Sequence, residues 1–316
     1  MTNHDGHRAQ QDGTGDEETT MTKLHQHPHR ARTVTKRAVL TEALAVAVSM
    51  AMSMSACAHH PDAPGQSTFE ARRQIAAELV ARGDWQPAFG YVDQLHREQP
   101  NDPRILVLRA TIYRERDLLA EAEADLREAL RLDSQCSAAH AALGILLDRQ
   151  RRAADAEEQH RAAVKLEPRN AAYLNNLGFS LFLHGKVKDA IPYYEQAARL
   201  APTTRRTRTN LGFAYAARGD LQRAAHEFAM GGTPAEAKTN LGFAYERRGD
   251  MANAYEQYLE AARLDPHSRR ARLNLAHAAA LTGHAVPSGE QASETSSETP
   301  VVDGASAAWP GAELAP

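Results

Sequence analysis

Few side chains in this sequence are arranged for chemistry. The histidines that could suggest a metal site are His25, His27, His29, His59 and His60, and no carboxylate cluster accompanies them. A second set is scattered along the chain without a shared face: His140, His160, His184 and His226. No phosphate-binding glycine loop, Gly-x-Ser-x-Gly motif, His-Glu-x-x-His motif or paired-cysteine motif occurs. We expect no catalysis, cofactor, metal or small-molecule substrate, and catalysis by the chain itself remains an alternative.

Amide and aromatic side chains offer binding chemistry instead. The tetrapeptide Asn-Leu-Gly-Phe begins at Asn176, Asn210 and Asn240, with starts 34 and then 30 residues apart. An Asn amide donates and accepts hydrogen bonds at once. A series of such amides could therefore bind the backbone of an extended peptide of any sequence, and interleaved Phe rings could bury its side chains.

The spacing of the tetrapeptide predicts the elements that carry it. A period near 34 residues is the signature of stacked helical hairpins. In the copy at 171–204, apolar residues recur at helical spacing and Gly185 separates two amphipathic helices. Leu177 and Gly178 stand at places 7 and 8 of the 34, and small residues at places 8 and 20 let the helices approach closely. Pro202 at place 32 ends the second helix.

This pattern resembles the tetratricopeptide repeat (TPR) family. The resemblance implies an all-α, right-handed solenoid of about six TPR hairpins with a capping helix. Together they would occupy residues 69–283. The units are 69–102, 103–136, 137–170, 171–204, 205–234 and 235–268, and the cap is 269–283. In the second unit Arg109 stands where the family has Leu. The fifth unit is four residues short, so we expect about one turn of its second helix to be missing and the stacking there to change.

In TPR proteins, places 2, 5, 6, 9, 12 and 13 of the first helices face the concave side. The resemblance thus implies a peptide-binding groove over the later units, which is not strongly basic. Its predicted residues are Asn175, Asn176, Phe179, Phe182, Thr209, Asn210, Phe213, Thr239, Asn240, Phe243, Arg247 and Asn274. The alternative is structural, because Asn at place 6 is common in TPR sequences and some of the Phe rings could pack between helices.

The N-terminal region has the pattern of a bacterial secretion signal. Residues 23–37 are basic, the run 43–58 is uncharged, and Met54-Ser55-Ala56-Cys57 resembles a lipobox. We expect 1–57 to be an N-terminal extension and lipoprotein signal peptide, starting at Met1 or Met21, with Cys57 lipidated. An ordinary signal peptide and an uncleaved anchor are the alternatives. Residues 58–68 would be a flexible linker, and Cys136 would be an inert thiol. We expect the mature protein to be an outer-membrane lipoprotein that faces the periplasm.

The other end of the chain is acidic. Residues 284–316 contain five acidic residues and no Lys or Arg, and they read as a disordered tail in which Trp309 could be a docking handle. The formal net charge of −3 gives no reason to expect nucleic acid as a partner.

Units four to six also resemble the TadD family of TPR lipoproteins, which belongs to the Tad (Flp) pilus assembly machinery. This resemblance implies a scaffold that binds a protein partner, namely a secretin or another pilus or secretion component, and a membrane through its lipid. Type IV pilus pilotins are a second related group. An adaptor that regulates an envelope enzyme, such as a peptidoglycan hydrolase, is the alternative from another class.

Overall fold

The computed structural model describes residues 66–286, and this part of the chain folds into thirteen α-helices without a β-strand. The helices are α1 (Gln66–Arg82), α2 (Trp85–Glu98), α3 (Pro103–Glu115), α4 (Leu119–Leu132), α5 (Ser137–Arg149), α6 (Ala153–Leu166), α7 (Ala171–Leu183), α8 (Val187–Leu200), α9 (Arg205–Arg218), α10 (Leu221–Gly231), α11 (Pro234–Arg247), α12 (Met251–Leu264) and α13 (Arg269–Thr282). The predicted all-helical solenoid of hairpins is confirmed. The predicted signal region, Cys57 and residues 287–316 lie outside the described residues.

The helices pack in chain order, and the packing is asymmetric. Each helix contacts the next one, and each odd-numbered helix also contacts the following odd-numbered helix from α1 to α13. Over 66–286, the even-numbered helices make no comparable contact with one another. The odd-numbered helices therefore lie closer together, and the array curves with them on its inner side.

A glycine beneath a ring joins the two helices of each hairpin from the third to the sixth. The glycine is at place 8 and the ring at place 24 of the same unit. A Cβ on the glycine would lie 2.6 Å from the ring at Gly144–His160, 3.0 Å at Gly178–Tyr194, 2.5 Å at Gly212–Phe228 and 2.7 Å at Gly242–Tyr258. The four rings are at most 1% exposed. The small residue at place 8 thus admits a buried ring, which refines the prediction of close backbone approach.

The turns within the hairpins also need particular residues. Gly185, Gly219 and Gly249 have φ of 78°, 99° and 78°, in the left-handed region where glycine has no Cβ to clash. The second and third hairpins place Asp117 (φ 62°) and Arg151 (φ 60°) at the corresponding turn. The regular spacing of Gly185, Gly219 and Gly249 in the sequence therefore reflects the turns between the two helices of these hairpins.

Charged pairs replace apolar contacts in the second hairpin. Arg109, at the place where the family has Leu, forms two hydrogen bonds of 2.7 Å with Asp125 on α4. Both side chains are mostly buried, at 18% and 11% exposure. An ion pair therefore links α3 to α4 where other units use an apolar residue.

A second charged contact joins α4 to the third hairpin. Glu123 accepts hydrogen bonds from three side chains: Arg127, Gln150 and Arg152. Partial burial acts to raise the pKa of Glu123, but these three hydrogen bonds outweigh it and lower the pKa to about 2. The carboxylate is thus stabilised in its charged form by the fold.

The fifth hairpin is shortened as predicted. Helix α10 has 11 residues, whereas α2, α4, α6, α8 and α12 have 14 each. Arg205 donates from Nε to the Gly231 carbonyl at 3.2 Å and pairs with Glu236 at 2.6 Å. Thr233 and Glu236 form a capping box that starts α11. The missing turn is therefore replaced by polar contacts between α9, the end of α10 and α11; altered stacking at this joint remains a prediction.

The described ends differ from the predicted boundaries. Helix α1 begins at Gln66, inside the segment 58–68 assigned to a linker, and Phe69 in its first turn is buried. At the other end the tail was predicted to begin at His284, yet the His284 ring stacks on Tyr255 at 4.5 Å. The Tyr255 hydroxyl also donates to the Ala285 carbonyl at 3.1 Å. Local packing therefore orders three more residues at each end.

The capping helix is less polar than a solvating cap should be. Helix α13 buries Ala271, Leu275, Ala278 and Ala279 against α12. Its outer side exposes Leu273 (38%) and Leu281 (61%). The cap therefore covers the last apolar face and presents apolar side chains of its own.

Candidate functional site

A cavity of about 540 Å³ opens on the inner side of the array. Its walls come mainly from α1, α3, α5 and α7, the first helices of four successive hairpins, with one residue from α9. The lining includes Val80, Ala81, Arg82, Trp85, Arg114, Glu115, Ile145, Asp148, Arg149, Phe179, Leu183 and Arg206. Most of these stand at places 2, 9, 12 and 13, which the family pattern predicts to face inward. We call this space the inner cavity.

The inner cavity carries more positive than negative charge. Four arginines (Arg82, Arg114, Arg149 and Arg206) line it against two carboxylates, Glu115 and Asp148. Arg82 pairs with Asp84 at 2.6 Å, Arg114 with Glu115 at 2.8 Å, and Arg149 with Asp117 at 3.1 Å. With Asp84 and Asp117 included, four carboxylates accompany the four arginines, which offsets the excess positive charge of the lining. The expectation of a groove that is not strongly basic concerned the later units and stays a prediction. Applying the inward places to the second, third and fifth units would have found Arg114, Arg149 and Arg206, whereas Arg82 stands at place 14 and would have been missed.

The predicted series of Asn amides, which we call the Asn ladder, lies inside the array. Asn175, Asn176 and Asn210 are 1–2% exposed, and Asn240 is 7% exposed. The Asn210 amide donates to the Asn175 side-chain oxygen at 3.1 Å, which joins α9 to α7. Arg270 on α13 donates to the Asn240 side-chain oxygen at 3.2 Å. The expectation that these amides are open to a peptide is wrong in this structure, because packing of successive first helices buries them.

The remaining predicted groove residues divide between core and surface. Phe179 lines the inner cavity, whereas Phe213 is fully buried with its ring 4.9 Å from that of Phe228. Phe182 and Thr239 are buried, and Phe243 is half-buried against Phe213 at 6.1 Å. Thr209 and Asn274 are half-buried, and Arg247 is exposed. Of the twelve predicted groove residues, the structure brings Phe179 to the cavity lining.

A buried acid–histidine cluster adjoins the inner cavity through Asp148. Asp148, with a 1% exposed side chain, accepts hydrogen bonds of 2.9 Å from three donors: His160 Nε2, His184 Nε2 and Ser180 Oγ. These groups come from α5, α6 and α7 and from the first residue after α7. The statement that the histidines share no face is therefore wrong for His160 and His184, which meet on one carboxylate.

The geometry of this cluster is structural. The Ser180 hydroxyl donates to the carboxylate, so no imidazole is placed to take its proton, as nucleophilic catalysis would require. Burial and the negative charge of Asp148 raise the pKa of the nearby Tyr194 well above its usual range. Asp148 thus ties the third hairpin to the fourth.

Cys136, predicted to be an inert thiol, is fully buried immediately before α5. The sequence holds one other cysteine, Cys57, which lies outside the described residues.

Two further findings concern membranes and metals. Between residues 66 and 286, no helix combines the length and the apolar character that a membrane span requires. Over the same residues, no three side chains of His, Cys, Asp or Glu form a group that could hold a metal ion.

Comparison with known proteins agrees with the architecture. Tetratricopeptide repeat models match residues 103–136, 141–204, 184–237 and 235–268, which together span just over half of the chain. A search of curated protein sequences finds no match.

Solved structures with a similar fold include PilW, described as a type IV pilus biogenesis factor, with a TM-score of 0.56 and 19% identity over 66% of this chain and 98% of that chain. PilF of Pseudomonas aeruginosa has a TM-score of 0.53 and 20% identity over 67% and 98%. Cut9–Hcn1 of the APC/C has a TM-score of 0.55 and 18% identity over 66% and 42%. At these identities the likeness is one of fold, and with the repeat matches it shows that this chain belongs to the tetratricopeptide repeat family.

Proposed function

We propose that this chain is a lipid-anchored periplasmic scaffold that binds an extended segment of a partner protein and takes part in assembling a Tad/Flp-type pilus or its secretin. The observation that carries the binding role is the inner cavity, because four successive first helices supply its walls. A site that crosses several helices is elongated, so an extended segment fits it better than a compact ligand does.

The lining suggests how such a segment is held. Arg82 and Arg149 are 72% and 43% exposed, so their guanidinium groups can reach carboxylates or backbone carbonyls of a partner. Ile145, Phe179 and Leu183 offer apolar surface between the charged groups. Arginine and aromatic side chains in a concave site are the residue types that contribute most to protein binding.

The pilus role rests on the resemblance to the TadD family and is supported by the fold shared with PilW, a type IV pilus biogenesis factor. Its test is deletion of the gene, followed by assays of secretin multimers and surface pili. We expect both to be lost. Normal multimers and pili would overturn the pilus role, and copurification of a peptidoglycan hydrolase without a secretin would favour the adaptor function instead.

The binding site is tested in the same strain by complementation. A chain carrying Arg82→Ser and Arg149→Ser should fail to restore multimers, because both exposed guanidinium groups of the cavity are removed. The matched control is Arg263→Ser, a 62% exposed arginine on the even-numbered helix α12. Equal restoration by the double variant and the control, at equal protein levels, would place the binding site elsewhere.

The lipid anchor depends on Cys57. Two or more acyl chains anchor a protein stably, because each buried CH₂ contributes about 0.8 kcal/mol. Cys57→Ser should abolish acyl labelling and release the protein from the membrane. Mass spectrometry of the unreduced mature protein decides between a lipid at Cys57 and a disulfide to Cys136, and the disulfide form would overturn the anchor.

A further inference from the structure

The chemistry of the inner cavity matches that of the last segment of the chain. We propose that residues 287–316 of the same molecule occupy the inner cavity when no partner is bound and compete with the partner for it. This proposal rests on the proposed function, since it uses the same site.

The inner cavity contributes arginine side chains whose present carboxylate partners can be replaced by other carboxylates. The carboxylates paired with Arg82 and Arg149 are Asp84 and Asp117, which are 38% and 76% exposed. Ion pairs in such exposed settings contribute little to stability. An incoming carboxylate can therefore replace either partner at small cost, while Asp84 or Asp117 returns to water.

The last segment of the chain is acidic and partly apolar. Residues 287–316 contain five acidic residues and no Lys or Arg: Glu290, Glu294, Glu298, Asp303 and Glu313. Val301, Val302 and Trp309 could meet the apolar lining at Ile145, Phe179 and Leu183. The N-terminal segment that also lies outside the described residues contains the basic run 23–37, so its charge fits the cavity less well.

The tail is long enough to reach the cavity. Thirty residues span up to about 100 Å when extended, and about 30 Å on average as a flexible coil. From α13 back to α7 there are three steps between first helices. With packed helices 8–10 Å apart, each step is at most about 20 Å, so the path is about 60 Å at most. Tethering gives the tail an effective concentration of about a millimolar, so weak contacts suffice.

Occupancy by the tail would make partner binding conditional. If the tail fills nine tenths of the cavities, the apparent affinity for a partner falls about tenfold. A partner segment with more carboxylates or a larger apolar anchor would displace it. The tail would thereby keep the arginines covered until such a partner arrives.

The first experiment locates the tail directly. A photo-crosslinking amino acid replaces Trp309 in the purified full-length mature chain, without any partner. We expect monomeric products in which position 309 is joined to α1, α3, α5 or α7, and at least a fivefold lower yield in 0.5 M NaCl. Crosslinks confined to α8 or to α10–α13, or an absence of crosslinks, would overturn the proposal, and so would a predominance of crosslinked dimers. The same amino acid at the exposed Leu281 is the control and should not reach the cavity.

The second experiment uses Trp85, which lines the cavity and is one of only two tryptophans in the chain. In a Trp309→Phe background, acrylamide quenching reports the exposure of Trp85 alone. Neutralising the five tail acids with Gln or Asn should raise the quenching constant about twofold. The matched control neutralises five acids on even-numbered helices: Glu121, Glu158, Asp189, Glu256 and Glu260. Equal quenching in the tail variant, the control and the parent would refute tail docking. Because no partner is present, this result is independent of the complementation tests.

Discussion

Gly212→Ala should destabilise the fifth hairpin although alanine is the better helix former. Replacing a glycine inside a helix by alanine stabilises it by about 1 kcal/mol. At position 212 the new Cβ would lie 2.5 and 2.6 Å from two atoms of the Phe228 ring, below any ordinary contact distance. That ring is 1% exposed and packs edge-on against Phe213, so it has little room to move. Overpacking of this kind costs about 3 kcal/mol at the upper end of its range, which leaves a net loss of about 2 kcal/mol.

The matched control is Gly90→Ala in the middle of α2, where nothing lies within 4 Å of the added Cβ. It should stabilise the chain by about 0.5–1 kcal/mol, so the two variants should differ by about 3 kcal/mol. Urea unfolding followed by circular dichroism measures the difference. Hydrogen exchange localises the loss to α9 and α10, because arrays can unfold in parts. Phe228→Leu should relieve part of the clash in the Gly212→Ala background. Equal effects of Gly212→Ala and Gly90→Ala on the free energy of unfolding would refute the close contact between Gly212 and the Phe228 ring as the cause of the loss.

Three further predictions concern charged groups. Asp148→Ala should cost about 3–5 kcal/mol in urea unfolding, since it leaves buried donors without an acceptor. The exposed control Asp155→Ala, at a side chain that is 52% exposed, should cost at most about 1 kcal/mol, and equal losses would contradict the buried cluster. Arg109→Leu should cost about 3 kcal/mol by leaving Asp125 unpaired, and adding Asp125→Leu should recover most of it; no recovery would show that the pair is not the cause. Glu123 has a folded-state pKa of about 2, below its unfolded value of about 4.5, so its contribution is complete above pH 4.5 and is lost as the pH falls towards 2. Glu123→Gln should therefore lower stability by roughly 1–2 kcal/mol at pH 7 but not at pH 2, and a loss that does not vary with pH would contradict the assigned contacts.

The fold could be predicted closely because its information is local and periodic. Within one hairpin, Gly178 indicates a close approach of the two helices, Gly185 indicates the turn between them, and Pro202 indicates the end of the second helix. The short fifth unit was also readable, since the Gly231–Gly232 pair ends α10 about one turn early. The ends were misplaced by three residues, because α1 starts immediately after Gly65 and the contact of His284 with Tyr255 depends on tertiary packing.

The candidate site was predicted less well. The repeated Asn residues occur in the later hairpins, where the identity between copies is highest, yet identity between copies reflects shared packing as much as shared binding. Asn210 meets Asn175 across the joint between two hairpins. The arginines of the inner cavity do not repeat as a motif, so only an inward place within the unit could have indicated Arg114, Arg149 and Arg206, and nothing in the pattern indicated Arg82.

The sequence by itself determined the hairpins, their number and order, and the glycines on which they depend, because each of these features is set by residues within about one repeat. The tertiary structure alone decided which side chains remain open to a partner. That outcome depends on how each hairpin is rotated on the previous one, which is fixed by contacts between residues about 30 positions apart. The same contacts bury the Asn ladder, bring His160 and His184 to Asp148, and leave the arginines of the first four hairpins around one cavity.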